Sequence, residues 1–202
     1  MLRPNYAMDE PPSSIEVGGS SYPVDTDYRT WLQILGLTRK LNFNAKTDRG
    51  LRQTFETLLD MQELAFGGVL KDEAAAEVLE GMTRFLAGYP SAPHGSLPAQ
   101  DAPVMSFDYD LNEILIAIRV QYGIDLSWRR REPFHWWEFQ LLVNCLAGES
   151  YLSALRDIRG YKGTDKERQR LKYAYALPVE LTAAEQEEWD AFSAQFEPKE
   201  DA

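Results

Sequence analysis

The stretch SFDYDLNEILIAIRVQYGIDLSW (Ser106–Trp128), followed by FHWWEFQLLVNCLAGESYLSALRDIRGYKGTDKERQRLKYAYALP (Phe134–Pro178), decides the fold of this chain. Between Ser106 and Leu177 lie 12 of the protein's 24 aromatic residues and three of its five tryptophans, so a packed, aromatic-rich helical unit is expected there. Leu111, Ile114, Leu115, Ile118 and Tyr122 recur at helical spacing, and Ile116 and Val120 widen that face. Asp110 and Glu113 have the spacing of a capping pair ahead of this helix, and Gly123 stops it. Pro133 suits the first turn of the next helix, where its missing N–H costs nothing. That helix, 134–147, is apolar nearly all round (Phe134, Trp136, Trp137, Phe139, Leu141, Leu142, Val143, Leu146), so it is central to a core or covered by a partner. Two further helices, near 150–159 and 165–176, precede Pro178.

Working outward, residues 1–13 read as a flexible N-terminus. A short β-hairpin follows: Ile15 and Val17 alternate with polar neighbours, Gly18-Gly19 makes the turn, and Tyr22 and Val24 lie on the return strand. Pro23 confines that strand to a sheet edge. Thr26 or Asp27 can cap a helix with Tyr28, Trp31, Leu32 and Leu35 on one face. A second helix after Asp48 carries Leu51, Phe55, Leu58 and Leu59, and Gly67-Gly68 ends it. Asp72 can cap a third, burying Ala75, Leu79, Met82 and Leu86. Four prolines between Gly88 and Pro103 preclude regular structure, so 88–103 is read as an exposed loop. The first half is short and poor in aromatics, which favours one shared core over two. The expected fold is a mainly α, multi-helix, bundle-like single domain over 14–178 with a small N-terminal hairpin, followed by an acidic helix or tail over 179–202.

At 202 residues, 44% hydrophobic and 26% charged, the composition is that of a soluble globular domain. No apolar run approaches the roughly 18 residues that span a bilayer, and the N-terminal stretch lacks the apolar core of a secretory signal, which argues against membrane insertion and export. A single cysteine, Cys145, excludes an internal disulfide and fits a reducing compartment; within LLVNCLAG it reads as a small core residue. The net charge of −11 is unevenly spread. Residues 179–202 hold eight acids against Lys199, a net −7, whereas 156–172 hold seven bases against three acids, and Arg129–Arg131 lie just upstream. Overall acidity argues against a general nucleic-acid binder, and the basic stretch reads as a solvated helix face able to meet an acidic surface.

The last helix begins at Thr182, where Thr182 and Glu185 have capping-box spacing. Trp189, Phe192 and Phe196 form one stripe on an otherwise acidic helix, the pattern of a segment that docks in a groove. The plainer reading, which we favour, is that the stripe packs back on its own domain. Trp136 and Trp137 could stack on bases or sugars, but a pair inside so apolar a helix is more often core. Trp128 beside Arg129, Arg130 and Arg131 is the better exposed aromatic–basic patch.

Catalytic and cofactor motifs are not found. There is no H-E-x-x-H, P-loop or dinucleotide fingerprint, and Gly160–Lys166 lacks P-loop spacing. Asp108, Asp110 and Asn112 open like a calcium loop, but Glu113 and Arg119 stand where glycine and the bidentate acid belong. His94 and His135 have no second ligand at metal spacing. Cys145 and His135, ten residues apart on one helix, point about 80° apart, which is a poor nucleophile pair. The chain is expected to be non-enzymatic, with no cofactor.

An ordered set of motifs remains: YPVDTDYRTWL after the hairpin, FDY before an apolar helix, QYGIDL, HWWEF, a helix closing with RGY, a charged K-E-R helix and a final ALP. Together, over roughly 14–37 and 106–178, they resemble the gene-product-fifteen family of long-tailed phages and prophages. The family's genes resemble those found between the tail tube and tape measure genes, the position of tail assembly chaperones. The resemblance implies a binding function: covering the apolar tape measure chain, recruiting tail tube subunits and leaving before the tail is complete. It supplies no catalytic residues. Asp25, Asp27, Tyr28, Arg29, Tyr122, Trp136, Trp137 and Tyr161 match its pattern, and most are expected to serve the fold. The 88–103 loop and the tail after Pro178 depart from it. The expected partners are the tape measure and tail tube proteins, with self-association also open, through Trp189, Phe192, Phe196, Trp128, Trp136, Trp137 or Tyr161. The implied location is the host cytoplasm during assembly, and not the mature particle. The alternatives are a structural head–tail or tail-completion component kept in the virion, and a nucleic-acid-associated protein using 128–131 and 156–172.

Overall fold

A computed structural model describes residues 9–71, 73–89, 103–146, 148 and 150–193. Among these, the elements are β1 (Ser14–Val17), β2 (Ser20–Pro23), α1 (Tyr28–Thr38), α2 (Asp48–Phe66), α3 (Ala75–Ala87), α4 (Phe107–Tyr122), α5 (Trp136–Asn144), α6 (Tyr151–Arg159), α7 (Lys166–Ala174) and α8 (Ala183–Ser193). The protein is mainly α with one antiparallel hairpin, as its sequence led us to expect. Gly18 and Gly19 both adopt positive φ, 57° and 84°, which matches the twist of a tight two-residue hairpin and is disfavoured for other residues. The chain packs as two compact units, each assembled from separate stretches of sequence.

Among the described residues, one unit contains Thr26–Arg29, those within Thr83–Pro178 and those from 9 to 13. Its centre is aromatic. Tyr28 stacks on Phe139 with ring centroids 4.5 Å apart, and Phe107, Trp136 and Phe139 lie within 6.3 Å of one another. An isolated bridge between Asp27 and His135 joins two helix starts, with Tyr28 N donating to Phe134 O and Trp136 N to Thr26 O, both at 2.8 Å. That extended pairing is why α5 begins at Trp136 instead of 134 and why Pro133 lies outside its first turn. Asp27 caps α1, its Oδ1 accepting from Arg29 N at 2.8 Å.

The start of α4 also corrects the sequence reading. Ser106 is the N-cap, accepting from Asp108 N, and Asp110 sits within the first turn, buried. Its carboxylate receives both Arg159 Nη atoms (2.7 and 3.0 Å) and Ser106 N (2.9 Å). Arg159 also donates to Val104 O and Tyr175 O, so the arginine of RGY ties α4, α6 and the end of α7 together. With Asp110 turned inward, the buried face of α4 is Asp110, Ile114, Ala117 and Ile118, and Ile116 and Val120 are exposed instead of widening it. Cys145, expected in the core, is exposed: the inward stripe of α5 is Trp136, Phe139 and Val143, and the helix has ended at Asn144.

Among the described residues, the second unit contains Ser14–Asp25, those within Thr30–Met82 and those from 179 to 193. Helix α2, capped by Thr47 and closed by Gly67, buries Thr54, Thr57, Leu58, Met61, Gln62 and Ala65. Leu51 and Phe55, expected inside, are exposed. The inward stripe mixes Leu58 and Met61 with polar residues, and Thr54 can lie inside because its Oγ1 exchanges hydrogen bonds with Asn42 N and O (3.0 and 3.1 Å). Helix α3 buries Val78, Met82 and Phe85; Ala75 is exposed and Leu79 and Leu86 are half-buried. Within this unit β1 crosses α3 at Gly81, where the Ile15 and Val17 side chains approach the backbone. Asp72, the expected cap, and 90–102 of the Pro-rich loop lie outside the described residues.

Candidate partner-binding surface

Helix α8 starts with a complete capping box. Thr182 N donates to Glu185 Oε2 at 2.8 Å, and Glu185 N to Thr182 Oγ1 at 3.3 Å. The hydrogen bonds that Thr182 N and Thr182 Oγ1 donate to the Glu185 carboxyl hold it below its ordinary range. The helix buries no residue and is attached within its unit by polar groups. Glu180 pairs with Arg39, and Ala183 N donates to Arg39 O at 3.0 Å. Glu187 accepts from Asn42 Nδ2 (2.9 Å) and Lys46 N (3.1 Å). At about 100° per residue, Ala183 and Glu187 share this attached side, and Glu185, Glu188, Trp189 and Phe192 lie on the other. Trp189 and Phe192 are 59% and 52% exposed, with ring centroids 6.2 Å apart. The helix is thus held by its acids while its aromatic pair faces solvent. Phe196 lies outside the described residues.

Trp128 is 84% exposed, with the Arg129 guanidinium 5.6 Å from its ring centre. The turn that presents it is well anchored. Leu126 is buried and accepts from Tyr28 Oη at 2.6 Å. Ser127 N donates to Asp125 Oδ1, Arg130 N to Ser127 O, and Arg29 Nη2 to Arg130 O. Hydrogen bonds from Ser127 hold the Asp125 carboxyl below the usual range, and Arg130 stacks over Phe134 at 5.2 Å. An exposed tryptophan beside arginines on an anchored turn suits an interaction anchor, since little backbone freedom is left to lose on binding.

The other candidates serve the fold in this structure. Trp136 and Trp137 are 1% and 9% exposed, and their indole N–H groups donate to Leu86 O and Phe85 O at the end of α3 (3.0 and 2.8 Å). Truncating either to alanine costs about 3–5 kcal/mol, so neither is a surface probe. Tyr161 shapes the approach to α7: its Oη accepts from Asp165 N, its carbonyl accepts from Lys172 Nζ, and Arg168 lies over its ring. His135 is the N-cap of α5. Trp137 N donates to Nδ1 at 3.0 Å, which leaves the proton on Nε2, and that nitrogen donates to Pro12 O at 3.0 Å. Burial pushes the His135 pKa down. With both nitrogens engaged, His135 is a structural residue, and no cluster among the described residues could hold a metal ion. No helix among them is long and apolar enough to cross a membrane.

The sequence reading missed part of the exposed apolar surface. Tyr173 of α7 is 80% exposed, and Ile116 and Val120 share an outer stripe of α4 with Tyr109. Strong hydrophobicity at helical spacing gives no sign of which stripe will be covered. Only the inward turn of Asp110 towards Arg159 fixes that for α4. Neither a curated protein nor a solved structure matches the chain. The family described as Bacteriophage Gp15 protein matches residues 8–177, and the chain belongs to that phage family.

Proposed function

We propose that this phage protein is a non-enzymatic tail assembly chaperone that binds the tape measure protein, the tail tube protein or both. Membership of the Gp15 family supports a phage role. The observation that carries the reading is the division of labour on α8: acids attach the helix to its unit, and Trp189 and Phe192 face solvent beside Glu185 and Glu188. An apolar contact framed by carboxylates can cover an aggregation-prone stripe and leave a charged, mutually repelling exterior. Trp128 on its anchored turn offers a second contact, and many weak copies along one long chain would bind through avidity. Such a protein acts in the host cytoplasm during assembly and leaves before the particle matures.

Co-expression with the tape measure protein of the same genome, followed by tagged pull-down, tests the proposal. Stable co-purification with more soluble tape measure protein is expected, together with loss of capture in W189A/F192A. Failure to form a complex with either the tape measure or the tail tube protein overturns the reading. Recovery of the protein in purified particles would instead favour a component that stays in the virion.

A further inference from the structure

Helices α7 and α8 carry matching faces of opposite charge. On α7, Arg168 and Lys172 turn towards Tyr161, the first over its ring and the second onto its carbonyl. At about 100° per residue, Lys166, Arg170 and Tyr173 then lie on the far side, and no residue of the helix is buried. On α8, Glu187 turns towards Asn42 and Lys46, which leaves Glu185, Glu188, Trp189 and Phe192 on its far side. Both outward stripes run charge to aromatic over the same seven-residue, two-turn span of about 10 Å. In a parallel register, Glu185 meets Lys166, Glu188 meets Arg170, and Trp189 and Phe192 meet Tyr173.

From this correspondence we propose that α8 of one copy docks on α7 of a second copy. The segment beginning at residue 179 is net −7 and the segment 156–172 is net +4, so the long-range field draws the two faces together. The aromatic ends supply apolar area that a purely ionic contact would lack. Because the two patches differ, the contact is heterologous: it closes into a ring or a reciprocal pair, or it continues as a string of copies. The inference draws on the same α8 face as the chaperone reading, but its test uses this protein alone, so the failure of one can be told from the failure of the other.

Sedimentation velocity of the full-length protein over a range of concentrations gives the readout. Self-association is expected, and it should weaken as salt rises from about 0.05 M to about 0.5 M. Glu188→Arg or Arg170→Glu should each move association to about tenfold higher concentration or abolish it. The charge-swapped double variant, Glu188→Arg with Arg170→Glu, should restore it, as should mixing the two single variants. Both positions are exposed, and unchanged circular dichroism will show that each variant folds. A wild-type protein that stays monomeric throughout overturns the proposal. So do single variants that associate like wild type, or a double variant that is no better than the singles.

Discussion

His135 holds the start of α5 through a nitrogen that must stay unprotonated. Nδ1 accepts from Trp137 N, the ring is buried, and its pKa is depressed, first of all by desolvation. An imidazolium there would lose the cap and place positive charge at a helix N-terminus. The folded protein therefore binds fewer protons than the unfolded chain, whose histidines titrate near about 6.5. The stability that depends on His135 is complete above that value and is lost as pH falls towards the lower folded pKa. His135→Asn keeps a capping acceptor and removes the titration. Chemical denaturation between about pH 5 and pH 7 should show a shallower loss of stability in the variant than in wild type. Equal slopes would sink the assignment. The second residue-scale test concerns Asp110 and Arg159. Removing the cation alone with Arg159→Met leaves a buried carboxylate and should cost about 3–5 kcal/mol. Replacing both, with Asp110→Leu and Arg159→Met, should cost less than the single change, as a double-mutant cycle will measure. Losses that simply add would mean that the pair does not act as a unit.

Helix propensity and packing agree at one helical glycine and conflict at another. Gly36 lies in α1, and a Cβ placed there meets nothing within 4 Å. Gly36→Ala should stabilise the protein by about 0.5–1 kcal/mol, because only the unfolded chain loses freedom. Gly81 lies in α3, where a Cβ would stand 2.6 Å from Ile15 Cγ2 and 3.2 Å from Glu16 O. The same substitution there should destabilise by about 1–3 kcal/mol through overpacking against the hairpin. Thermal unfolding of the two variants should move in opposite directions; two upward shifts would show that β1 does not constrain α3. These elements also show what was legible in the sequence. Hairpin, helix ends at Gly67 and Gly123, and the capping box at Thr182 were readable because a local residue type specifies each one. Buried faces were less readable. Leu51, Phe55, Ile116 and Val120 are apolar at helical spacing yet exposed, while Thr54 and Asp110 are inside because partners distant in sequence, Asn42 and Arg159, satisfy their polar atoms.

Across the whole molecule, the features proposed for binding are those that contribute least to folding. Trp128, Trp189 and Phe192 were visible as candidates because aromatic residues beside charge stand out in sequence. Their separation from Trp136 and Trp137 was legible from the apolar setting of that pair, but its physical basis was not, because the indoles reach the carbonyls of Leu86 and Phe85, far off in sequence. The difference can be tested by ending the chain after Pro178. This removes α8, which buries no residue and is attached through Glu180, Ala183 and Glu187. Exposed ion pairs are worth about 0–1 kcal/mol each, and Asn42 Nδ2 can bond water once Glu187 is gone. The shortened protein should therefore keep its unfolding midpoint to within a few degrees and still fold cooperatively, yet lose both self-association and capture of the tape measure protein. A large drop in thermal stability would make α8 a structural element and remove the basis for reading its aromatic face as a contact surface. Unchanged stability with unchanged capture would move the binding surface to the Trp128 turn, where Trp128→Ala is the next variant to measure.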